Sequence, residues 1–105
     1  MAEYLTKGAR RAPTHPGELM REILDEHAKM TIAEAARRMQ ISRPSLYAVL
    51  NGDSAVTADM ALRFGKLVGG APELYLRMQN NYSLWKARQA NADVLKKIKP
   101  ALEMA

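Results

Sequence analysis

A short polar cluster, Ser42-Arg43-Pro44-Ser45, is the part of this sequence best equipped for directed hydrogen bonding. The guanidinium of Arg43 can donate two parallel hydrogen bonds, which match the acceptors of a guanine base or the oxygens of a phosphate. The two serine hydroxyls can cap a helix or bind a phosphate. Neither serine has a neighbouring base in the sequence that would activate it as a nucleophile. The cluster therefore favours binding to a nucleic acid over covalent catalysis.

The two histidines, His15 and His27, are the remaining candidates for chemistry, and their positions argue against a shared site. They fall at opposite ends of one predicted helix, and neither lies near a pair of carboxylates at metal-ligand spacing. The sequence has no cysteine, so it offers no thiolate ligand and no disulfide. Its glycines are scattered and form no phosphate-binding loop. We therefore expect no enzymatic activity, no metal site and no cofactor.

The elements that position the polar cluster lie in residues 31–52, which read TIAEAARRMQISRPSLYAVLNG. Thr31 followed by Glu34 is the pattern of a capping box at a helix start. Apolar residues then recur at helical spacing up to a turn, and Ser42 begins a second short helix that ends at Asn51. Two short helices joined by a tight turn are the plan of a DNA-binding helix-turn-helix.

Gln40 is a departure from this plan, because the turn residue needs a positive φ and is usually glycine. We expect Gln40 to adopt that conformation at a cost of about 1 kcal/mol. The small side chain of Ala36 allows the two helices to approach closely, and Ile41 fills the inside of the turn. An ordinary pair of antiparallel helices inside an all-helical domain is the alternative interpretation.

The second helix of a helix-turn-helix places its N-terminal part in the major groove of DNA. This geometry predicts a set of DNA-binding residues on that helix and at its margins: Ser42, Arg43, Pro44, Ser45, Tyr47, Ala48, Asn51 and Thr31. Arg43 is the member of this set suited to bidentate recognition of guanine. The competing interpretation is that Arg43 binds a phosphate, which would add affinity without specificity.

Helical periodicity extends to both sides of this motif and predicts an all-α domain of five helices. The first helix opens with HPGE at residues 15–18, which puts a proline at its first helical position. Thr57 caps the fourth helix, and Pro72 starts the fifth. The chain divides into a basic N-terminal arm (1–14), the helix-turn-helix domain with its C-terminal helix (15–88), and a helix end with a basic tail (89–105).

The predicted fifth helix carries three of the six aromatic residues of the chain. Its apolar stripe, with spacings of three, four and three residues, consists of Tyr75, Met78, Tyr82 and Trp85. Such a short stripe can pack against its own domain, or it can form an interface with a second copy or another protein. Because a helix-turn-helix reads a palindrome as a dimer, we expect the stripe to contribute to a homodimer.

Composition sets the broad class of the protein. The chain has 105 residues, enough for one domain with a modest core. A hydrophobic content of 48% indicates a folded chain, and a net charge of +5 suits a polyanionic partner. The sequence has no apolar run of membrane-spanning length, and its N-terminus lacks the apolar segment of a signal peptide. We therefore expect a cytoplasmic protein that does not enter a membrane.

Three blocks of the sequence are more specific than a helix-turn-helix alone: HPGELMREIL, TIAEAARRMQISRPSLYAVLNG and VTADMALRFGKLVGGAPELYLRMQNNYSLWKA. Together they resemble HigA-type antitoxins, the VapI-like addiction-module group of the xenobiotic-response-element-type helix-turn-helix family. The resemblance covers about residues 14–87, and a generic phage-repressor domain would match only the middle block. The departures are Gln40 and residues 53–55, where a basic residue is common. The resemblance implies a lambda-repressor-like fold.

The resemblance also implies an antitoxin of a type II toxin–antitoxin module. Such a protein binds a HigB-type toxin, a ribosome-dependent mRNA endonuclease, and represses the operon that encodes both proteins. The residues independently support the repressor function, whereas toxin binding rests on the resemblance alone. Two alternatives stay open: a stand-alone prophage or host transcription regulator, and a toxin-neutralising protein whose DNA binding is vestigial.

Overall fold

A computed structural model describes residues 12–102, and this part of the chain contains helices and no β-strand. Helix α1 is α-helical over Pro16–Glu22 and continues as a π-helical turn over Ile23–His27. The helices that follow are α2 (Ile32–Met39), α3 (Arg43–Leu50), α4 (Ala58–Val68), α5 (Pro72–Ala90) and α6 (Ala92–Lys97). The predicted all-α fold is confirmed, and the described residues add the short helix α6 to the five predicted helices.

The structure describes only one of the two predicted end segments, the C-terminal helix end and tail, over most of its length. Residues 1–11 of the predicted basic arm lie outside the described residues. At the other end, where the sequence predicts a helix end and a tail, α5 stops at Ala90 and α6 forms after Asn91. All six residues of α6 are exposed. The core is therefore built by α1 to α5.

Three helices begin at hydroxyl caps, as the sequence predicts. The side-chain oxygens of Thr31, Ser42 and Thr57 each accept a hydrogen bond from the backbone N–H three residues later, at 3.1, 3.2 and 3.2 Å. The Glu34 carboxylate pairs with Arg37 at 2.6 Å, so the capping box at Thr31 is only half formed.

Gln40 ends α2 in the left-handed conformation, with φ 59° and ψ 45°, which confirms the predicted positive φ at the turn. The Ile41 N–H donates to the Ala36 carbonyl at 3.0 Å and closes the end of this helix. Lys29, after the π-helical turn, also has a positive φ, of 53°, which the sequence analysis did not predict. Each such residue costs about 1 kcal/mol, which the surrounding contacts must offset.

One hydrophobic core joins the first five helices. Its buried side chains are Met20, Leu24, Ala35, Ala36, Met39, Leu46, Val49, Leu50, Val56, Met60, Ala61, Phe64 and Tyr75. The side chain of Ala36 is only 1% exposed, as expected for the position where α2 and α3 approach each other. Behind these two helices, α1 packs on α3 and α5, and α4 packs on α2 and α5. The scaffold helices therefore support the helix-turn-helix from behind.

The π-helical turn changes which side chains of α1 face the core. Helical spacing puts Leu19, Ile23, Leu24 and His27 on one face of α1, but the buried side chains are Met20 and Leu24, and His27 is exposed. In the turn, the Ala28 N–H donates to the Ile23 carbonyl, five residues earlier, at 2.8 Å. The turn thus contains one residue more than an α-helical turn. This extra residue rotates the His27 side chain away from the core.

Helices α1 and α3 touch through their backbones at Gly17. A Cβ atom on Gly17 would lie 2.1 Å from the carbonyl oxygen of Val49, near the end of α3. This distance is far inside van der Waals contact, so the position accepts no side chain larger than hydrogen. Pro16, beside it, is fully buried. The start of α1 therefore packs backbone against backbone on α3.

Gly17→Ala is expected to lower the free energy of unfolding by about 1–3 kcal/mol, because the added methyl group forces the backbones apart. Urea unfolding followed by circular dichroism measures this change. Gly70→Ala is the matched control, since its Cβ would meet the Tyr75 hydroxyl at an ordinary 3.4 Å. A Gly17→Ala protein as stable as this control would contradict the close backbone contact.

Candidate nucleic-acid interface

Helix α3 presents one exposed face on the outside of the helix-turn-helix. Arg43, Pro44 and Tyr47 are exposed on this face, and Ala48 is half-buried at its edge. The opposite face of the helix enters the core through Leu46 and its neighbours. The residues predicted to read bases therefore share one surface of α3. Their contacts with DNA stay a prediction.

The two serines at the start of α3 bind each other. Ser42 Oγ accepts a hydrogen bond from the Ser45 backbone N–H at 3.2 Å, and the two hydroxyl oxygens lie 2.8 Å apart, with Ser42 donating. This pair forms the N-cap of α3, and both side chains are exposed at its margin. Their first role is therefore to shape the helix start, and the Ser45 hydroxyl hydrogen is left to bind a phosphate.

A shallow groove connects the start of α2 with the start of α3. It is lined by Thr31, Ala33, Glu34, Ala36, Arg37, Ile41 and Arg43. The groove brings Thr31 and Arg43 together, as their predicted roles require. It also adds Arg37, a basic residue that the sequence analysis did not assign to this surface. Within residues 12–102 the ion pairs are Glu34–Arg37 and Asp59–Arg63, so no carboxylate of this part neutralises Arg43.

Asn51 lies at the opposite end of α3 from Arg43. Its side-chain oxygen accepts a hydrogen bond from the Arg21 guanidinium of α1 at 2.7 Å, and its backbone N–H donates to the Tyr47 carbonyl at 2.9 Å. Asn51 thus ends the helix and ties it to α1. The side-chain NH₂ group is the part of Asn51 that can still donate to DNA.

His15 joins three parts of the fold. Its Nδ1 accepts a hydrogen bond from the Gly17 N–H at 2.9 Å and caps α1. Its Nε2 donates to the Ser54 carbonyl, in the loop after α3, at 3.1 Å. Its ring meets the edge of Tyr82 in α5, with centroids 5.0 Å apart. The last two contacts were not predicted, because nothing near His15 in the sequence indicates them.

Gln79 of α5 holds the same loop from a second direction. Its side-chain oxygen accepts a hydrogen bond from the Val56 N–H at 2.8 Å, and its NH₂ group donates to Ser83 Oγ at 3.0 Å. Gln79 is buried, and both ends of its amide are satisfied. Gln79 was not predicted as a functional residue, because a polar residue in a helix gives no signal of a partner 23 positions away. The loop that follows α3 is therefore fixed by α1 and by α5.

The prediction that Tyr75 contributes to an interface stripe on α5 is wrong. This side chain is only 2% exposed and packs edge-on against Phe64, with centroids 5.3 Å apart. Burial also raises the pKa of the Tyr75 hydroxyl. Tyr82 packs partly on His15, as described above, whereas Met78 and Trp85 are half-buried. The helix turns Tyr75 toward its own core, so the four residues do not form one open surface.

Two further observations concern other kinds of site. Residues 12–102 contain no group of three His, Cys, Asp or Glu side chains placed to hold a metal ion. His15 is engaged in the bonds described above, and His27 is exposed at the end of α1. No helix within the described residues is both long enough and apolar enough to cross a membrane.

Comparison with known proteins places the chain in a family. The helix-turn-helix family model matches residues 20–73, just over half of the chain. The chain is 34% identical, over 74 residues, to the uncharacterized HTH-type transcriptional regulator YddM of Escherichia coli, covering 70% of this chain and 78% of that protein. It is 28% identical, over 91 residues, to the antitoxin HigA-1 of Vibrio cholerae, covering 87% and 86% of the two chains.

The fold is likewise similar to that of solved antitoxins. The antitoxin HigA of Pseudomonas aeruginosa, in a structure with the higBA promoter, superimposes with a TM-score of 0.77 at 33% identity. This match covers 86% of the present chain and 99% of that chain. The identity, the coverage and the shared fold agree with the resemblance seen in the three sequence blocks. The chain therefore belongs to the HigA-type antitoxins of the helix-turn-helix family.

Proposed function

We propose that this protein is the antitoxin of a type II toxin–antitoxin module, which binds operator DNA as an autorepressor and neutralises a HigB-type mRNA endonuclease. The observation that carries the proposal is the exposed face of α3, supported by the scaffold helices in a chain similar to an antitoxin solved with its promoter. Both activities are binding reactions, so the protein is not an enzyme. Both also require the cytoplasm, where operator DNA and mRNA are found.

DNA recognition starts from the geometry of α3. Its N-terminal turn enters the major groove, where the Arg43 guanidinium donates to guanine and Tyr47 lies one turn further along the same face. Thr31 and Arg37, across the groove between α2 and α3, bind the adjacent phosphates. The net charge of +5 strengthens this attraction at low salt. Residues 53–55 carry no basic side chain and add no phosphate contact.

Specific binding requires two copies of the protein. One α3 reads only a few base pairs, and a twofold dimer places two such helices in successive major grooves, about 34–36 Å apart. Because Tyr75 belongs to the core, the dimer surface is the flank of α5 that carries Leu74, Met78 and Trp85. These residues are exposed or half-buried, and they recur at spacings of four and seven residues, as in a helix–helix interface.

The proposed toxin is a small basic endonuclease encoded beside the antitoxin gene. The support for this partner is the similarity to HigA antitoxins. Co-expression of the chain with the neighbouring reading frame, followed by affinity purification, is expected to recover both proteins in one complex. The same purified protein is expected to retard a duplex of its own promoter in a gel-shift assay. Failure of both assays would overturn the proposed function.

A stand-alone transcription regulator is the second candidate. It is favoured by the relative YddM, which is named as a transcriptional regulator and not as an antitoxin. Promoter binding without a co-purifying partner would select this candidate. Conversely, toxin capture without promoter binding would indicate a neutralising protein whose DNA binding is vestigial.

Arg43→Ala is expected to weaken binding to the promoter duplex by about 1–3 kcal/mol and to relax specificity at one base pair in each half-site. The reason is the loss of two parallel hydrogen bonds to guanine. Fluorescence anisotropy with a panel of single-base operator variants measures both effects. Arg88→Ala, which removes the same charge from the exposed end of α5, is the control. A uniform loss across the panel with a shallower salt dependence would show that Arg43 binds a phosphate instead.

Trp85→Ala is expected to weaken dimerisation by about 2 kcal/mol or more, because a partly exposed Trp at an interface centre dominates the association energy. Operator affinity falls with it, since the monomer reads only one half-site. Sedimentation equilibrium measures the association constant, and Leu84→Ala on another face of α5 is the control. If the variant dimerises normally but melts at a lower temperature, Trp85 belongs to the core of its own domain.

A further inference from the structure

Arg63 of α4 reaches back to the turn between α2 and α3. Its Nη1 donates to the Met39 carbonyl at 2.7 Å and to the Gln40 carbonyl at 3.2 Å. Its Nε donates to the Asp59 carboxylate, one turn earlier on α4, at 2.9 Å. The guanidinium therefore links α4 to the turn through two hydrogen bonds, and a third, to a carboxylate of its own helix, sets its orientation.

The two carbonyls bound by Arg63 belong to a part of the backbone that needs this support. They lie at the C-terminal end of α2, where carbonyl groups have no partner within the helix and carry the negative end of its dipole. Gln40 also holds a left-handed conformation, which a residue with a side chain adopts at a cost. A cationic donor on these oxygens forms charge-assisted hydrogen bonds, which are stronger than neutral ones.

The turn controls the direction in which α3 begins. Ser42 caps this helix only two residues after Gln40, and Arg43 follows directly. Every side chain in residues 42–45 is exposed. The contacts between α3 and the core therefore begin at Leu46, after the first turn of the helix. On the other side of this exposed turn, half-buried Ile41 and the Arg63 hydrogen bonds hold the chain.

We propose that Arg63 is a positioning residue for base recognition. By holding the Met39 and Gln40 carbonyls, it sets the direction of the first turn of α3, and with it the place of the Arg43 guanidinium. Arg63 acts through the turn and does not bind DNA itself. The Asp59 carboxylate keeps the Arg63 guanidinium oriented toward the two carbonyls. This inference rests on the proposed DNA-binding function, which it extends to a residue outside the DNA surface.

Binding measurements with four variants test the inference. For each protein, anisotropy gives the affinities for its own promoter duplex and for a scrambled duplex of equal length, over a series of salt concentrations. Arg63→Met is expected to reduce the preference for the promoter at least tenfold with an unchanged salt slope. Arg63→Lys, which offers no fork to hold Asp59 and both carbonyls, is expected to recover only part of the preference. Lys66→Met, one turn along α4, is the control that keeps the wild-type preference.

The fourth variant, Asp59→Asn, covers the case in which Arg63→Met fails to fold. It retains the guanidinium and its bonds to the carbonyls but weakens the carboxylate that orients it, and a three- to tenfold loss of preference is expected. Hydrogen exchange without DNA provides an independent readout. In whichever of these two variants folds, the Gln40 and Ile41 amides are expected to exchange several-fold faster, while those of α5 keep their rates.

Three results would overturn the inference. Unchanged promoter preference in Arg63→Met and in Asp59→Asn would show that these residues serve stability alone. Unchanged exchange at the turn amides would show that Arg63 does not hold the turn. An equal loss on both duplexes, with a salt slope lower by about one, would show that Arg63 binds a phosphate directly. Failure of the wild-type protein to prefer its promoter would instead count against the proposed function, and the exchange result would still decide whether Arg63 holds the turn.

Discussion

The rest of the structure depends on one contact between two backbones, where Gly17 at the start of α1 lies against the Val49 carbonyl near the end of α3. This close approach brings the ring of His15 within reach of the Ser54 carbonyl and the edge of Tyr82. A single methyl group at position 17 would separate the helices and move the histidine with them. The packing of α1, the position of the loop after α3 and the contact with α5 therefore all require that residue 17 has no side chain.

Three polar side chains of the scaffold hold the helix-turn-helix and its flanking loop by the backbone. His15 binds a carbonyl and Gln79 binds an N–H group in the loop after α3, and Arg63 binds two carbonyls in the turn before it. These anchors come from α1, α5 and α4. Each one contacts a main-chain group, so it requires no particular side chain at the position that it holds. The core side chains of α3 complete the support from beneath.

The sequence predicts those parts of the fold that neighbouring residues determine. The hydroxyl cap at Thr31 and the positive φ of Gln40 depend on residues only a few positions away, and both are observed. Long-range contacts leave no comparable signal, since His15 and the Ser54 carbonyl are 39 residues apart. Helical spacing identified Tyr75 as apolar-facing, but it could not distinguish the core from an interface. The exposed face of α3 was predictable, whereas the anchors that orient it were not.

Anchoring through the main chain has a consequence for how such proteins diverge. The exposed side chains of Arg43 and Tyr47 on α3 are not among the groups that the anchors bind. In the proposed mode of DNA binding, substitutions at these positions change the operator sequence that is recognised and leave the anchored backbone in place. A genome that carries several modules of this kind can thus keep them from repressing one another by exchanging a few surface side chains. Duplicated copies can acquire separate regulatory targets through a series of sequences that all still fold.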